Sequence, residues 1–443
     1  MLAHHPFSPA HWPHQLPPSY WLNNARVPAD LLERSAAARP TAPVALQITD
    51  GRISAIESQA QGVLPVFDLD GSTVLPAFVD PHTHLDKGDL LAVGLEPARS
   101  LFGAIEAVQA DYARWTATEL AARIDFGLQE AWAHGTRALN SYCDWSDPDS
   151  PLAWQALLEA RERWRGRIEL VLTSLAPVDV LADAAAAERL ARHVAQAGGI
   201  LGLFAYAAPH VAALLPRAFD LAERFDLRLD FHIDEHLDTS HVHTLPVARL
   251  ALERGYGART VCGHACALSR LAPQPLAEVL EAVAASGLSL VSLPLTNLYL
   301  QDSSQQAPRH TPRWRGIAPV HEAQALGIPV AFGSDNHRDC FSPFGDLDPL
   351  RTLALAACAA QLDDAVPQWA HAITRTAAGA LGLAWDGVLR VGAPADLVLH
   401  PGRTSSEVLS RPELGRQVLR AGQRIHAERP DFRSLDGLRP VST

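Results

Sequence analysis

Four histidines and two carboxylates stand where short apolar runs end. In FVDPHTHLDK, His82 and His84 are two residues apart. Strand side chains alternate, so both imidazoles leave the same face. Two imidazoles on one face make a natural metal chelate, although an HxH pair also occurs as a plain surface pair. In LRLDFHIDEH, Leu227, Leu229, Phe231 and Ile233 form one face of a strand, and Arg228, Asp230 and His232 form the other. Glu235 lies just past that strand, where the chemistry of a barrel sits, with a buried structural carboxylate as the plain alternative; His236 is read as a neighbour rather than a ligand. His264 ends the run TVCGHA, where a structural histidine is the plain alternative. Asp335 follows a Gly-Ser turn in IPVAFGSDN. There it can cap the next helix or supply an oxygen to the same metal. No single motif decides between these readings. The side chains converge on one metal only if the strands that carry them close into a barrel.

The elements needed for that closure are legible. Between about Leu75 and Gly382 the chain alternates apolar runs with Ala-, Leu- and Glu-rich stretches. The runs are STVLPAFVD, TRALNSYCD, IELVLTSL, ILGLFAY, LRLDFHID, TVCGHA, LSLVSLPLTN and IPVAFGSD. Segments between them, such as LFGAIEAVQADYARW and PVARLALERGYG, suit helices. Strands alternating with helices imply a parallel sheet, and eight such units close into an α/β barrel of the (β/α)8 type, expected over residues 75–382. PVALQITDGRISAIES reads as two strands around Asp50-Gly51, a strong hairpin signal. The last segment, from GVLRVGAPADLVLHPG on, returns to short strands. Residues 19–74 and 383–443 are therefore expected to build one small β-sandwich domain from both chain ends. Residues 1–18, rich in Pro and in His4, His5, His11 and His14, are expected to be a flexible terminus.

Composition narrows the functional class. The chain has 443 residues, 48% of them hydrophobic and 19% charged, which suits a globular protein with a large core. Its net charge of -12, from 37 Lys plus Arg against 49 Asp plus Glu, disfavours nucleic acid and anionic membrane surfaces as partners. A small neutral substrate fits better. The five cysteines form no paired framework, and Cys262 and Cys266 make a lone CxxxC that is not read as structural zinc. A reducing, cytoplasmic setting is expected. The first residues lack a basic and an apolar region, so no secretory signal is read there, and no apolar run is long enough to span a membrane.

The order HTH, HIDE, GHA, SDN resembles the amidohydrolase superfamily, and within it the bacterial cytosine deaminase group. LPLTNLYLQDSS followed by TPRWRGIAPVHEAQALGIPVAFGSDN carries the more specific part of the likeness, which runs from about Ile48 to Ile425. The resemblance implies that His82, His84, His232 and Asp335 bind one divalent metal, Zn2+ or Fe2+. It implies that Asp335 belongs to the catalytic set, that Glu235 shuttles protons, and that His264 orients and polarises water. A bound metal can lower the pKa of water from 15.7 to about 7, which gives a nucleophile for a ring carbon bearing an exocyclic amine. The expected reaction is hydrolytic deamination of a small N-heterocycle with release of ammonia. Relatives with two metals often use a carboxylated lysine at the end of the fourth strand. The run ILGLFAYAAPH has none, and the only lysine of the chain is Lys87. One metal per chain is therefore expected, and Lys87 is a candidate substrate contact or a structural ion pair. Members of the resembling group form homo-oligomers, which makes one possible here.

The recognition residues depart from the cytosine deaminase pattern. A Gln is expected at the third strand end, where this chain has Ser174 and Leu175; Asn336 replaces an Asp, Phe341 a Trp, and Tyr142 a second-strand His. Ser174, Leu175, Asn336 and Phe341 are the candidate substrate contacts. An altered recognition set beside an intact catalytic set points to a planar amino-substituted heterocycle other than cytosine: a pterin, an aminotriazine or a modified pyrimidine. Two other readings stand beside it. One is hydrolysis of a cyclic amide or an N-alkylaminotriazine on the same scaffold. The other is a non-catalytic binding barrel.

Overall fold

A computed structural model describes residues 12–33, 42–145, 151–303 and 310–439. His4, His5 and His11, and Ser304 of the QDSS stretch, lie outside the described residues. Strands β1 (Ser19–Ala25), β2 (Val44–Thr49), β3 (Arg52–Glu57) and β4 (Val66–Asp68) form one four-stranded sheet in the order β3-β2-β1-β4. The β2–β3 hairpin turns at Asp50 and Gly51, both at positive φ (48° and 77°), as a tight primed turn requires. Tyr20, Leu22, Leu46, Ile48 and Ile53 are buried in the core that this sheet shares with the rest of the chain.

A second sheet joins the two chain ends. β5 (Thr73–Pro76) pairs antiparallel with a strand that comes after the barrel. The barrel strands are β6 (Phe78–Thr83), β7 (Thr136–Asp144), β8 (Glu169–Pro177), β9 (Leu201–Ala205), β10 (Leu229–Ile233), β11 (Thr260–His264), β12 (Ser289–Ser292) and β13 (Val330–Phe332). They form one eight-stranded sheet in sequential order, all parallel. β14 (Leu397–His400), β15 (Gln417–Arg420) and β16 (Gln423–Arg424) then complete the second sheet in the order β16-β15-β14-β5. The fold is thus a (β/α)8 barrel with a β domain built from both ends.

Two details differ from the sequence reading. β5 runs to Pro76 and belongs to the small sheet, so the barrel starts later than residue 75. The terminus expected to be loose through residue 18 is packed from Trp12 onward. Trp12 and Leu16 are buried, the Trp12 ring lies 5.0 Å from that of Phe67, and the Leu16 backbone N–H donates to Gln423 Oε1 at 3.0 Å. Their apolar area gains more from this contact than the terminus loses in freedom.

Helices fill the crossovers for local reasons. In Ala117–His134, the Thr116 hydroxyl accepts the Glu119 N–H, and Gly135 ends the helix at φ 98°. Leu120, Ile124, Leu128 and Ala131 recur at helical spacing and are buried. Losing the Thr116 cap would cost ~1 kcal/mol. The lower end of the barrel is plugged: Val79, Val261, Val291 and Ala331 share a buried cluster with Ala377, Ala378 and Leu381 of the helix Arg375–Leu381. That leaves the C-terminal ends of the strands for chemistry, as in other barrels of this type.

Candidate active site

Barrel closure brings the first and last strands together. The Asp335 N–H donates to the His82 carbonyl at 2.8 Å, Thr83 and Asp335 bridge in parallel, and the Ser334 N–H reaches Asp80 Oδ1 at 3.1 Å. These contacts hold Asp335 at φ 61°, and His264 stands at φ 71°, a left-handed conformation that non-glycine residues adopt only under constraint. A Cβ on Gly333 would come within 2.7 Å of His82 Cβ, and one on Gly263 within 3.1 Å of His82 Cε1. The two glycines make room for the His82 ring.

The side chains named from the sequence meet at this end. His82 Nε2 and His84 Nε2 lie 3.4 and 3.2 Å from Asp335 Oδ1, and His232 Nε2 lies 3.3 Å from His84 Nε2. One ligand atom from each of His82, His84 and His232 lies within 4.8 Å of the others, and the same holds for His82, His264 and Asp335. All are buried. Both ring nitrogens of His82, Nδ1 of His84 and His232, Nε2 of His264 and both Asp335 oxygens have no hydrogen-bond partner among the described residues. Buried polar groups are seldom left so.

The protonation states suit a cation. Burial pushes His84 down to about 4, with the Lys87 charge adding to it, and pushes His264 down to about 3. His232 is pushed well below its ordinary value by burial and by the neighbouring imidazoles. Burial alone would raise Asp335, but the close ring nitrogens of His82 and His84, and then His264, hold it well below the usual carboxylate range. Neutral imidazoles around an ionised carboxylate are the form in which these side chains bind a divalent metal. The residues fit such an ion.

Glu235 behaves oppositely. Burial, then the Asp335 charge, pushes it well above the usual range, so it keeps a proton that it can give. Its Oε1 lies 3.4 Å from His264 Nδ1. Asp234 does not join the cluster. At φ 54° its carboxylate accepts the His243 and Thr244 N–H groups at 2.8 and 3.0 Å and the Thr244 hydroxyl at 2.6 Å, which fixes the turn that presents Glu235. His236 stays outside the metal-type groups, with Nε2 3.9 Å from Asp234.

A cavity of about 440 Å³ opens on this cluster, reached by His84, His232, Glu235, His264 and Asp335. Of the four candidate substrate contacts, Leu175, Asn336 and Phe341 line it. Ser174 does not. Its hydroxyl is taken up by Gly202, accepting the N–H at 3.0 Å and facing the carbonyl at 3.2 Å. The alternation of β8 turns Ser174 away and leaves Leu175 at the cavity. Tyr142 packs its ring 4.2 Å from that of His82 and 4.5 Å from that of His232, centroid to centroid.

Sequence reasoning passed over several lining residues. Leu101, Ile105 and Gln109 recur at a spacing of four on the helix Leu101–Asp111, with Tyr112 just after it; that periodicity in the first crossover was the available signal. Asp144 ends β7, Trp145 follows it, and Phe204 lies on β9. Asn297 Nδ2 lies 3.1 Å from His264 Nδ1. With the amide donating, Nδ1 accepts and the ring proton sits on Nε2.

Comparison with known proteins agrees with this architecture. The sequence matches the Amidohydrolase family over residues 65–126 and 116–426. It is 37% identical over 392 residues to a pterin deaminase from Rhizobium rhizogenes, covering 88% of this chain and 89% of the relative. It is 26% identical over 364 residues to an N-isopropylammelide isopropyl amidohydrolase from a Pseudomonas species, covering 80% and 86%. The fold superposes on the crystal structure of 5-methylcytosine deaminase from Klebsiella pneumoniae with a TM-score of 0.79 at 24% identity, covering 93% of this chain and 98% of that one.

Proposed function

The chain belongs to the amidohydrolase family, a group of hydrolases acting on carbon–nitrogen bonds, and we propose that it is a metal-dependent deaminase of a pterin-type heterocycle. The observation that carries the reading is the placement of a buried Glu235 beside the converging buried histidines and Asp335 at one cavity. The pterin deaminase relative supports the choice of ring system.

A divalent ion held by His82, His84, His232 and Asp335 would make water a nucleophile at neutral pH. Phe341 and Phe204 offer apolar faces to a planar ring, which orients its amine-bearing carbon toward the cluster. Glu235 gives a proton to the ring nitrogen next to that carbon and is recharged by a proton from the attacking water. The same carboxyl then protonates the exocyclic amine, which leaves as ammonia, and the ring carbon keeps the water oxygen as a carbonyl, whose remaining proton returns to Glu235 and restores the starting carboxyl. Such acid–base work is worth ~10²–10⁴-fold. His264, with its proton on Nε2 and Nδ1 held by Asn297, orients the water rather than binding the ion. Three imidazoles and a carboxylate suit zinc and ferrous iron alike, so elemental analysis decides between them.

We read the enzyme as cytoplasmic from its five free cysteines; no helix among the described residues is long and apolar enough to cross a membrane. A homo-oligomer is checked by light scattering on the same sample. The test of function is ammonia release from a panel of pterin, cytosine, 5-methylcytosine, aminotriazines and an N-alkylaminotriazine. Pterin is expected to be processed best, at a kcat/KM of ~10⁴ M⁻¹s⁻¹ or above. Cytosine processed best would overturn the substrate reading. No turnover on any compound by metal-loaded protein would leave a binding barrel.

A further inference from the structure

The cavity carries a charged pair that the deamination steps above do not use. Lys87 follows His84 by three residues, is buried at 3% exposure and places Nζ 2.6 Å from Asp144 Oδ1. The other carboxylate oxygen, Oδ2, accepts the Tyr112 hydroxyl at 2.9 Å. Asp86 locks the pair from behind: its Oδ1 accepts the Lys87 N–H and its Oδ2 the Asp144 N–H, each at 2.9 Å. Nζ also sits 4.7 Å from the centroid of the Phe341 ring. Lys87, Tyr112, Asp144 and Phe341 line the same cavity as His84, His232 and Glu235.

Donor accounting makes the pair incomplete. An ammonium has three N–H donors and no acceptor. Among the described residues Nζ makes one hydrogen bond, to Asp144, which leaves two donors at the cavity wall. Each Asp144 oxygen accepts one side-chain hydrogen and keeps a second lone pair. The pair therefore offers a strong donor and a strong acceptor next to each other. That is the complement of a ring carbonyl beside a ring N–H, the lactam edge of an amino-oxo heterocycle. It is also the pattern a glutamine amide would present, and β8 offers only the apolar Leu175 and Pro177 to the cavity.

Resting on the pterin-type reading, we propose that Lys87 and Asp144 are the specificity-determining residues that read this lactam edge, Lys87 donating to the ring carbonyl and Asp144 accepting from the ring N–H. Burial alone would lower Lys87, but Asp144 and Asp86 hold it above its ordinary value, so the donor stays charged. The charged donor and Phe341 together favour a ring that is electron-rich at its oxygen and flat at its face.

The test pairs a substrate with its oxo-to-amino analogue: pterin against 2,4-diaminopteridine. Wild-type enzyme is expected to favour the oxo compound by roughly 10–10²-fold in kcat/KM, the range for a hydrogen bond to a charged group. K87M should lose that factor on the oxo compound, mainly through KM, and change little on the amino one. Equal efficiency of wild type on the two compounds overturns the proposal, and so does an equal loss on both in K87M with metal content retained, which is what a purely structural strut predicts. If K87M does not fold, the wild-type comparison decides alone. The pair is built on whichever ring system of the panel is turned over best, so failure of the pterin reading is told apart from failure of this one.

Discussion

Replacing Glu235 by Gln tests the proton-transfer argument directly. The side chain is 5% exposed and its carboxyl is held close to His264, so an amide of the same shape fits the same space. Burial keeps the carboxyl protonated well above its ordinary range, and an amide resembles that neutral form in size and charge. Substrate binding should change little. Glu235 is absent from both groups of converging metal-type ligands, so metal content should also survive. What the amide cannot do is take a proton from water and return it to the ring nitrogen and the amine. Removal of a general acid–base costs ~10²–10⁴-fold. At 1.36 kcal/mol per decade this is about 2.7–5.4 kcal/mol of barrier. The assay is steady-state ammonia release on the best panel substrate, with metal per chain measured on the same preparation. The expected result is kcat lowered by at least ~10²-fold, with KM and metal content near wild type. Turnover within ~10-fold of wild type would remove Glu235 from the mechanism, because no shape-preserving change could then spare a shared proton carrier.

Three other expectations follow from separate parts of the molecule. Purified protein should hold about one divalent metal per chain, lost in His82→Ala and His232→Ala; two tightly held equivalents, both needed for activity, would refute the argument from the lysine-free fourth strand. Ser174→Ala removes the partner of the Gly202 N–H and should cost about 1–3 kcal/mol in chemical denaturation while leaving kcat/KM unchanged; a specificity change at unaltered stability would put Ser174 back at the substrate. Glu130 is 2% exposed, has one unpartnered oxygen, and is pushed up to about 8, chiefly by burial. The folded state therefore keeps a proton that the unfolded chain releases near pH ~4.3. Stability from this group is full below that pH and is lost as pH rises toward about 8. Glu130→Gln cannot ionise, so its stability relative to wild type should climb across that window by an amount on the order of a few kcal/mol; parallel pH profiles of the denaturation midpoint would contradict the burial argument.

What the amino-acid sequence determined by itself is everything set by local geometry. The two-residue period of a strand puts His82 and His84 on one face, and the same period splits LRLDFHID into an apolar face and a His232 face. The Asp-Gly pair at 50 and 51 dictates the hairpin because both positions need positive φ. Eight apolar runs separated by helical stretches give the order of the barrel strands, and the strand ends mark Glu235, His264 and Asp335. Tertiary structure alone decided which of these meet and which neighbours they meet. Asp335 reaches His82 only through closure of β13 on β6, a contact across most of the barrel sequence. Ser174 and Leu175 are adjacent, yet the register of β8 against β9 sends one to Gly202 and the other to the cavity. Lys87 gains Asp144 from the next strand and Phe341 from the last crossover, and Trp12 finds Phe67. Strand period and turn chemistry act over a few residues and are written in them. Register, closure and the inward or outward sense of a side chain are set by the packing of distant segments, which a single stretch of sequence does not contain.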